Sequence, residues 1–217
     1  MRAETHTLKI IIDQILGWLI FLAFSPLFGL LAVLIRLDTP GPVFFRQVRI
    51  GQGGRPFVAY KFRSMVDKAV TMGLGLNVAV DDSRITRVGH FLRQTSLDEL
   101  PQIFNVLKGD MSLVGPRPTL PYQVAAYNDF QRRRLLMKPG ITGWAQINGR
   151  NTIPWEKRIQ LDVWYVENWS LKLDLLILLK TIRTWARQEG LYGPSGVNYD
   201  FRPLNTELSQ RVTNVYS

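Results

Sequence analysis

The chain has no cysteine and only two histidines, His6 and His90. Disulfide scaffolds and cysteine-ligated zinc or iron–sulfur sites are therefore excluded, and a Ser-His-Asp triad or a histidine-rich metal centre has almost nothing to work with. Any chemistry must rest on carboxylates, and the adjacent Asp98 and Glu99 are the pair best placed for it. Leu97, Leu100, Ile103, Phe104 and Leu107 recur at helical spacing and predict an amphipathic helix from Ser96 to Lys108. Pro101 keeps its start within the preceding turn. Unsatisfied N–H groups and the helix dipole would keep a carboxylate there ionised and attract phosphate oxygens. Ser96-x-x-Glu99 also reads as a capping box, which would make both acids mere helix-start residues. Downstream, a turn and short strand lead to Arg117, set between Pro116 and Pro118. Prolines on both sides fix the local backbone and present the guanidinium in one direction, as bidentate phosphate recognition requires. An arginine between prolines can also be plain turn decoration.

The elements that must position these groups belong to an α+β chain, mostly helical. Turn residues at Thr39 to Pro42 precede two short strands, Val43 to Phe45 and Phe57 to Tyr60, joined by a glycine-rich loop. A flexible loop is expected over Ala69 to Asp82, with a helix starting near Asp82-Ser83. Further helices are expected over Pro121 to Met137, Trp155 to Trp169 and Leu173 to Gln188. The last is either an interfacial amphipathic helix or a packed core helix. The polar tail, 191–217, is expected to order only where it docks.

With 217 residues, 46% hydrophobic and 20% charged, the chain is long enough to bury a core and too apolar for disorder. Its net charge of +10 calls for an anionic partner: nucleic acid, a membrane surface or phosphorylated substrates. Nucleic acid is the weakest candidate, because no recognised binding motif is present. Six Lys or Arg residues against one Asp lie between Arg36 and Arg63, beside the apolar segment. They read as a patch for anionic headgroups or lipid phosphate, or as a solvated basic face.

That segment, Ile10 to Leu37, contains only Asp13, Gln14 and Arg36 among strongly polar residues and is long enough for a membrane. It lacks a signal-peptide cleavage pattern. Ser25-Pro26 sits at its middle, and basic residues flank both ends, so the positive-inside rule gives no direction for a crossing. A re-entrant helix, broken at Ser25-Pro26 and returning to the same side, fits both features. The Ser25 hydroxyl is then a partner for backbone freed by the proline. A kinked spanning helix remains the alternative.

The chain resembles the monotopic phosphoglycosyl transferases, bacterial sugar transferases of the polyprenyl-phosphate type. The resemblance covers roughly residues 8 to 188. It rests on Ser25-Pro26, Tyr60 to Met65, Leu92-Arg93, Ser96 to Gln102, Asn105 to Ser112, Val114 to Pro118, Lys138 to Gln146, Asn148 to Arg150 and Leu161 to Tyr165. The resemblance implies transfer of a sugar 1-phosphate from a UDP-sugar to undecaprenyl phosphate, with release of UMP, as a first membrane step of glycan synthesis. It implies Asp98 as nucleophile through a covalent aspartyl-phosphosugar, Glu99 as holder of Mg2+, and Lys61, Arg93 and Arg117 at phosphate oxygens. Asp162 is a possible site residue without an assigned duty. A re-entrant helix over 1–37, a catalytic domain over 38–190 at the cytosolic face of the bacterial inner membrane, and a minimal form without additional spanning helices are likewise implied. Anionic lipid is a further expected partner, and nucleic acid is not. The competing reading is a non-enzymatic basic scaffold at the membrane surface.

Overall fold

The computed structural model describes residues 3–73, 75, 77–186, 190, 193 and 197–198. Helix α1 runs from Ala3 to Asp38 with Pro26 inside it. It is one helix rather than two, and its repair is local. The proline ring leaves the Leu22 carbonyl without its usual N–H donor, and the Ser25 hydroxyl donates to that oxygen at 2.9 Å.

One side of α1 lies along the body over its whole length. Near its start, Lys9 donates to Asp174 Oδ2 at 2.6 Å and to the Val114 carbonyl at 3.0 Å. Further along, Gln14 donates to the Val106 carbonyl at 2.8 Å, and Phe21 and Phe28 both pack against Phe104. Leu31 and Ile35 are buried with Phe62 and Leu92. At its end, Asp38 accepts from the Val88 amide at 3.0 Å, while Arg63 donates to the carbonyls of Ile35, Thr39 and Pro40. Both ends of α1 are thus held by the same body. The other side is apolar and open, with Ile15, Trp18, Leu19, Leu22, Leu30 and Val33 all exposed.

Strands β1 (Phe44–Ile50) and β2 (Pro56–Phe62) pair antiparallel, Phe44 opposite Phe62 and Ile50 opposite Pro56. Both extend beyond the predicted runs. Strand β3 (Val78–Ala79) pairs with β6 (Val197–Asn198). The loop before α2 is built rather than loose: the Arg84 guanidinium pairs with Asp82 and donates to the carbonyls of Ala69, Met72, Gly75 and Asn77. Helix α2 (Arg87–Gln94) starts later than the sequence suggests, because Thr86 caps it by accepting from the Gly89 amide.

The predicted helix over Ser96 to Lys108 is instead a 3-10 segment, Leu97–Gln102, followed by α3, Ile103–Lys108. Pro101 explains the change, since its ring disrupts α-helical bonding in the turn before it. Strand β4 (Ser112–Val114) pairs in parallel with β5 (Gly140–Thr142), a pairing the sequence did not announce. The predicted helix over Pro121 to Met137 is divided into α4 (Pro121–Ala125), α5 (Asp129–Arg132) and a 3-10 turn, Arg133–Leu136. Asn128 starts α5 afresh through a reciprocal box with Gln131. Then follow α6 (Trp144–Ile147), α7 (Trp155–Glu167) and α8 (Leu171–Ala186). Among the tail residues 191–217, all but 193, 197 and 198 lie outside the described residues.

The main core joins α3, β4, α7 and α8 through Ile103, Val106, Val114, Tyr165 and Ile177, with α1 packed against it. Its polar heart is the Asp174 carboxylate, which accepts from Lys9, from the Tyr165 hydroxyl at 2.6 Å and from the Trp169 indole at 3.0 Å. Helix α8 packs one face into the core and leaves an apolar face open: Ile177 is fully buried, while Leu175, Leu179, Ile182 and Trp185 are exposed.

Candidate active site

The 3-10 segment packs on β2 and carries Asp98 and Glu99 to the side chain of Lys61. Asn105 sets this spacing. Its side chain accepts from the Tyr60 amide at 3.1 Å and donates to the Val58 carbonyl at 2.7 Å, so it bonds β2 as a neighbouring strand would. Glu99 Oε1 accepts from Lys61 Nζ at 2.7 Å and from Arg117 Nη2 at 2.6 Å, and Glu99 Oε2 accepts from Arg117 Nη1 at 3.1 Å. Such a fork is the strong form of a carboxylate–guanidinium pair.

The capping-box reading is overturned. Ser96 makes no side-chain cap and lies at φ 55, and the Glu99 side chain is spent on Lys61 and Arg117 instead of on the helix start. Ser96 and Arg150 are both non-glycine residues at positive φ, 55 and 49. They meet each other, Arg150 Nη2 donating to Ser96 Oγ at 3.4 Å. Backbone strain of this kind persists only where surrounding structure over-determines it.

Arg117 is presented by a fully bonded turn. The carbonyls of Pro116, Arg117 and Pro118 accept respectively from the Gly140 amide at 2.9 Å, Arg134 Nη2 at 2.8 Å and Arg49 Nη1 at 3.2 Å. Gly115 and Gly140 allow the two strand ends to approach, since a Cβ at Gly140 would lie 2.0 Å from the Gly115 nitrogen. Asp162, buried in α7, does not join the Asp98–Glu99 pair. It holds Arg134, which also donates to the Tyr127 hydroxyl at 2.6 Å and so braces the Arg117 backbone.

Burial would raise the Glu99 carboxyl, but Arg117 and Lys61 outweigh it and hold the group well below the usual carboxylate range. Burial pushes Asp98 up, opposed by Lys61 and reinforced by Glu99. The expected helix-terminus effect does not prevail there, because burial outweighs it. Arg93, half-buried near Ser64, adds a further positive charge acting on Asp98. Lys61, Arg93, Arg117 and Arg150 thus surround Asp98 and Glu99. Four cations against two carboxylates leave two positive charges over, which is the electrostatics of an anion site. Arg150 was not singled out from sequence, and neither were Arg134, Gln146 and Asn105.

The basic residues between Arg36 and Arg63 do not form one lipid-facing patch. Arg63 is buried at the end of α1, Lys61 meets Glu99, and Arg49 holds the Pro118 carbonyl.

Two cavities meet at Arg117, Gln146 and Arg150. One, about 740 Å³, is polar and includes Arg134, Arg158, Trp155 and Asp162 in its wall. The other, about 1300 Å³, is an apolar cleft that reaches from Glu99 to Ile20 and Phe24 of α1 and Leu178, Ile182 and Trp185 of α8. It opens between the two helices that carry the exposed apolar faces. No group of three or more potential metal ligands occurs among the described residues. Asp98 and Glu99 are the carboxylates that could hold Mg2+, which takes one or two protein oxygens and completes its shell with water and substrate phosphate, but both Glu99 oxygens are engaged by Lys61 and Arg117 here.

The family described as "Bacterial sugar transferase" matches residues 4–188. The chain is 55% identical over 157 residues to the uncharacterized sugar transferase EpsL of Bacillus subtilis, covering 72% of this chain and 76% of that protein. It is 42% identical over 205 residues to an undecaprenyl-phosphate galactose phosphotransferase of Salmonella typhimurium, covering 88% and 43%. It is 45% identical over 187 residues to a UDP-glucose:undecaprenyl-phosphate glucose-1-phosphate transferase of Escherichia coli, covering 78% and 38%. The chain thus spans about three quarters of the first of these relatives and about two fifths of the other two.

Proposed function

The chain belongs to the bacterial sugar transferase family, and we propose that it moves a sugar 1-phosphate from a UDP-sugar to undecaprenyl phosphate at a membrane. The observation that carries this reading is the junction of the two cavities at a cation-rich carboxylate pair. A nucleoside diphosphate suits the polar cavity, and a polyprenyl chain suits the apolar cleft.

In this reading the Asp98 carboxylate attacks the sugar-bearing phosphorus. The bond from that phosphorus to the UMP oxygen breaks, UMP leaves with the electron pair, and a phosphosugar remains on Asp98. An oxygen of undecaprenyl phosphate then attacks the same phosphorus and returns the carboxylate. Covalent catalysis here splits one displacement of anion on anion into two. Arg117 and Arg150, which border both cavities, neutralise charge on the transferring phosphate. Lys61 and Arg93 add to that field and keep Asp98 available as an anion. Glu99 would hold Mg2+ once substrate phosphate draws Lys61 and Arg117 from its oxygens, and the ion would supply Lewis-acid stabilisation of phosphate oxygens when bound.

The exposed apolar faces of α1 and α8 support a position in one leaflet, and in this reading anionic lipid surrounds the chain and the polar cavity faces the cytosol of a bacterial inner membrane. The body's hold on both ends of α1 supports both ends lying on one side of the membrane, although the helix is unbroken at Ser25-Pro26. The test is UMP release from a panel of UDP-sugars with undecaprenyl phosphate. Turnover is expected for wild type and lost in Asp98→Asn and in chelator. Undiminished release by Asp98→Asn would overturn the nucleophile, and activity that survives chelation would remove the metal. A purely scaffolding role would release no UMP at all.

A further inference from the structure

Among the described residues, Gln146 Nε2 and Oε1, Asp162 Oδ1 and Arg134 Nε are buried polar atoms in the wall of the polar cavity without a hydrogen-bond partner. Their residues are only 8%, 2% and 3% exposed respectively. Native proteins satisfy nearly all buried polar groups, so a cluster of unsatisfied ones in one cavity calls for an occupant that completes them, whether water or a ligand. Gln146 is the extreme case, because both ends of its amide are open and it stands where the polar cavity meets the apolar cleft.

The chemistry of the open atoms selects the ligand group. Asp162 is tied to Arg134 through Oδ2, and Oδ1 is left to accept. The Gln146 amide can accept once and donate once or twice. A phosphate oxygen offers a carboxylate nothing, whereas ring hydroxyls donate to a carboxylate or amide oxygen and accept from an amide N–H. We infer that Gln146 and Asp162 bind ring hydroxyls of the nucleotide-sugar donor, on its ribose or on its hexose. This rests on the donor reading above and adds to it two residues that hold the donor away from the reacting phosphorus. Arg117 and Arg150 take the charge, and Gln146 and Asp162 read the neutral rim.

The test uses the full chain in nanodiscs and Gln146→Leu, which removes the amide at nearly constant volume. Because the amide bonds nothing among the described residues, melting temperature is expected to hold or rise. Affinity for UDP-glucose and UDP-galactose is expected to fall about tenfold, the scale of one or two hydrogen bonds. Asp162→Asn, which keeps an oxygen for Arg134, is expected to weaken the same ligands. UMP and 2′-deoxy-UMP separate the two rings. If the ribose is held, UMP also weakens in Gln146→Leu, and the 2′-deoxy form already binds wild type poorly. If the hexose is held, UMP binds the variant as it binds wild type and only the UDP-sugars weaken. Unchanged affinity for all four ligands in both variants would overturn the inference and leave water as the occupant. Its failure is separable from that of the transfer reading, which fails if wild type releases no UMP from any UDP-sugar.

Discussion

Asp98 and Glu99 are neighbours in the chain and opposites in electrostatic state. Burial lifts the Asp98 carboxyl above its ordinary value, while Arg117 and Lys61 hold Glu99 far below its own. Paired titratable groups pushed apart in this way commonly divide the labour of a reaction. Glu99 is locked as an anion by a guanidinium fork, whereas burial raises Asp98 against the pull of Lys61, Arg93 and Arg117.

The fork gives the first prediction. Arg117→Lys retains the positive charge but cannot reach both Glu99 oxygens in one plane. Charge alone would preserve activity, whereas directed recognition of phosphate would not. UMP release is expected to fall by about 100-fold or more, with the melting temperature little changed. Equal turnover in Lys and Arg forms would show that only the charge matters.

The raised Asp98 gives a prediction in pH. A nucleophile must be ionised, so UMP release should fall as pH drops through the Asp98 pKa, which lies above the model-peptide value of about 3.9. The stability sign is the reverse of a salt-bridged acid. A carboxyl whose pKa rises on folding binds its proton more tightly in the folded state, so the fold loses stability as pH climbs from the unfolded pKa to the folded one. Asp98→Asn should therefore be inactive yet at least as stable as wild type at neutral pH, as thermal unfolding would report. A less stable Asn variant would contradict that sign.

Asp82 behaves oppositely. Its hydrogen bonds to Arg84 bring its pKa from 3.8 to about 2, so it contributes stability that is present above the unfolded value and is lost as pH falls toward about 2. Since Arg84 gathers the carbonyls of Ala69, Met72, Gly75 and Asn77, the loop should open first in that window. Hydrogen exchange at residues 66 to 80 is expected to rise in acid, and to be raised already at neutral pH in Asp82→Asn. Exchange confined to other segments would show that the pair does not hold the loop.

Local chemistry made part of this arrangement readable. The carboxylate pair, the arginine between prolines and the Ser25-Pro26 repair each depend on residues a few positions apart. Arg117 does sit on a fixed backbone, and the Ser25 hydroxyl does take up the carbonyl that Pro26 leaves. What was not readable depends on contacts over long separations. Arg150, Gln146 and Arg134 reach the site only because β5 returns beside β4, a three-residue parallel pairing with too little pattern to see in advance. The Ser96 to Lys108 periodicity was real, but Pro101 converted its first half to a 3-10 turn. The capping-box spacing was equally real, and Lys61 and Arg117 competed for Glu99 and won.

The last prediction concerns α1. Lys9 and Asp174 are both buried, and the Asp174 oxygens are shared among Lys9, Tyr165 and Trp169. Removing one partner leaves the other charge uncompensated, so Lys9→Met or Asp174→Asn should destabilise the fold by about 3–5 kcal/mol. Lys9 also donates to the Val114 carbonyl, and Asp13 accepts from the Leu113 amide at 3.1 Å, so the start of α1 is bonded to the strand that leads to Arg117. The far end is fastened through Asp38 and Arg63. A helix tied to one body at both ends cannot place those ends on opposite sides of a bilayer while the ties hold. Cysteines placed as Ala3→Cys and Pro40→Cys are expected to label from the same side of sealed vesicles. Labelling from opposite sides in a folded, active protein would mean that the Lys9–Asp174 pair does not form in the membrane.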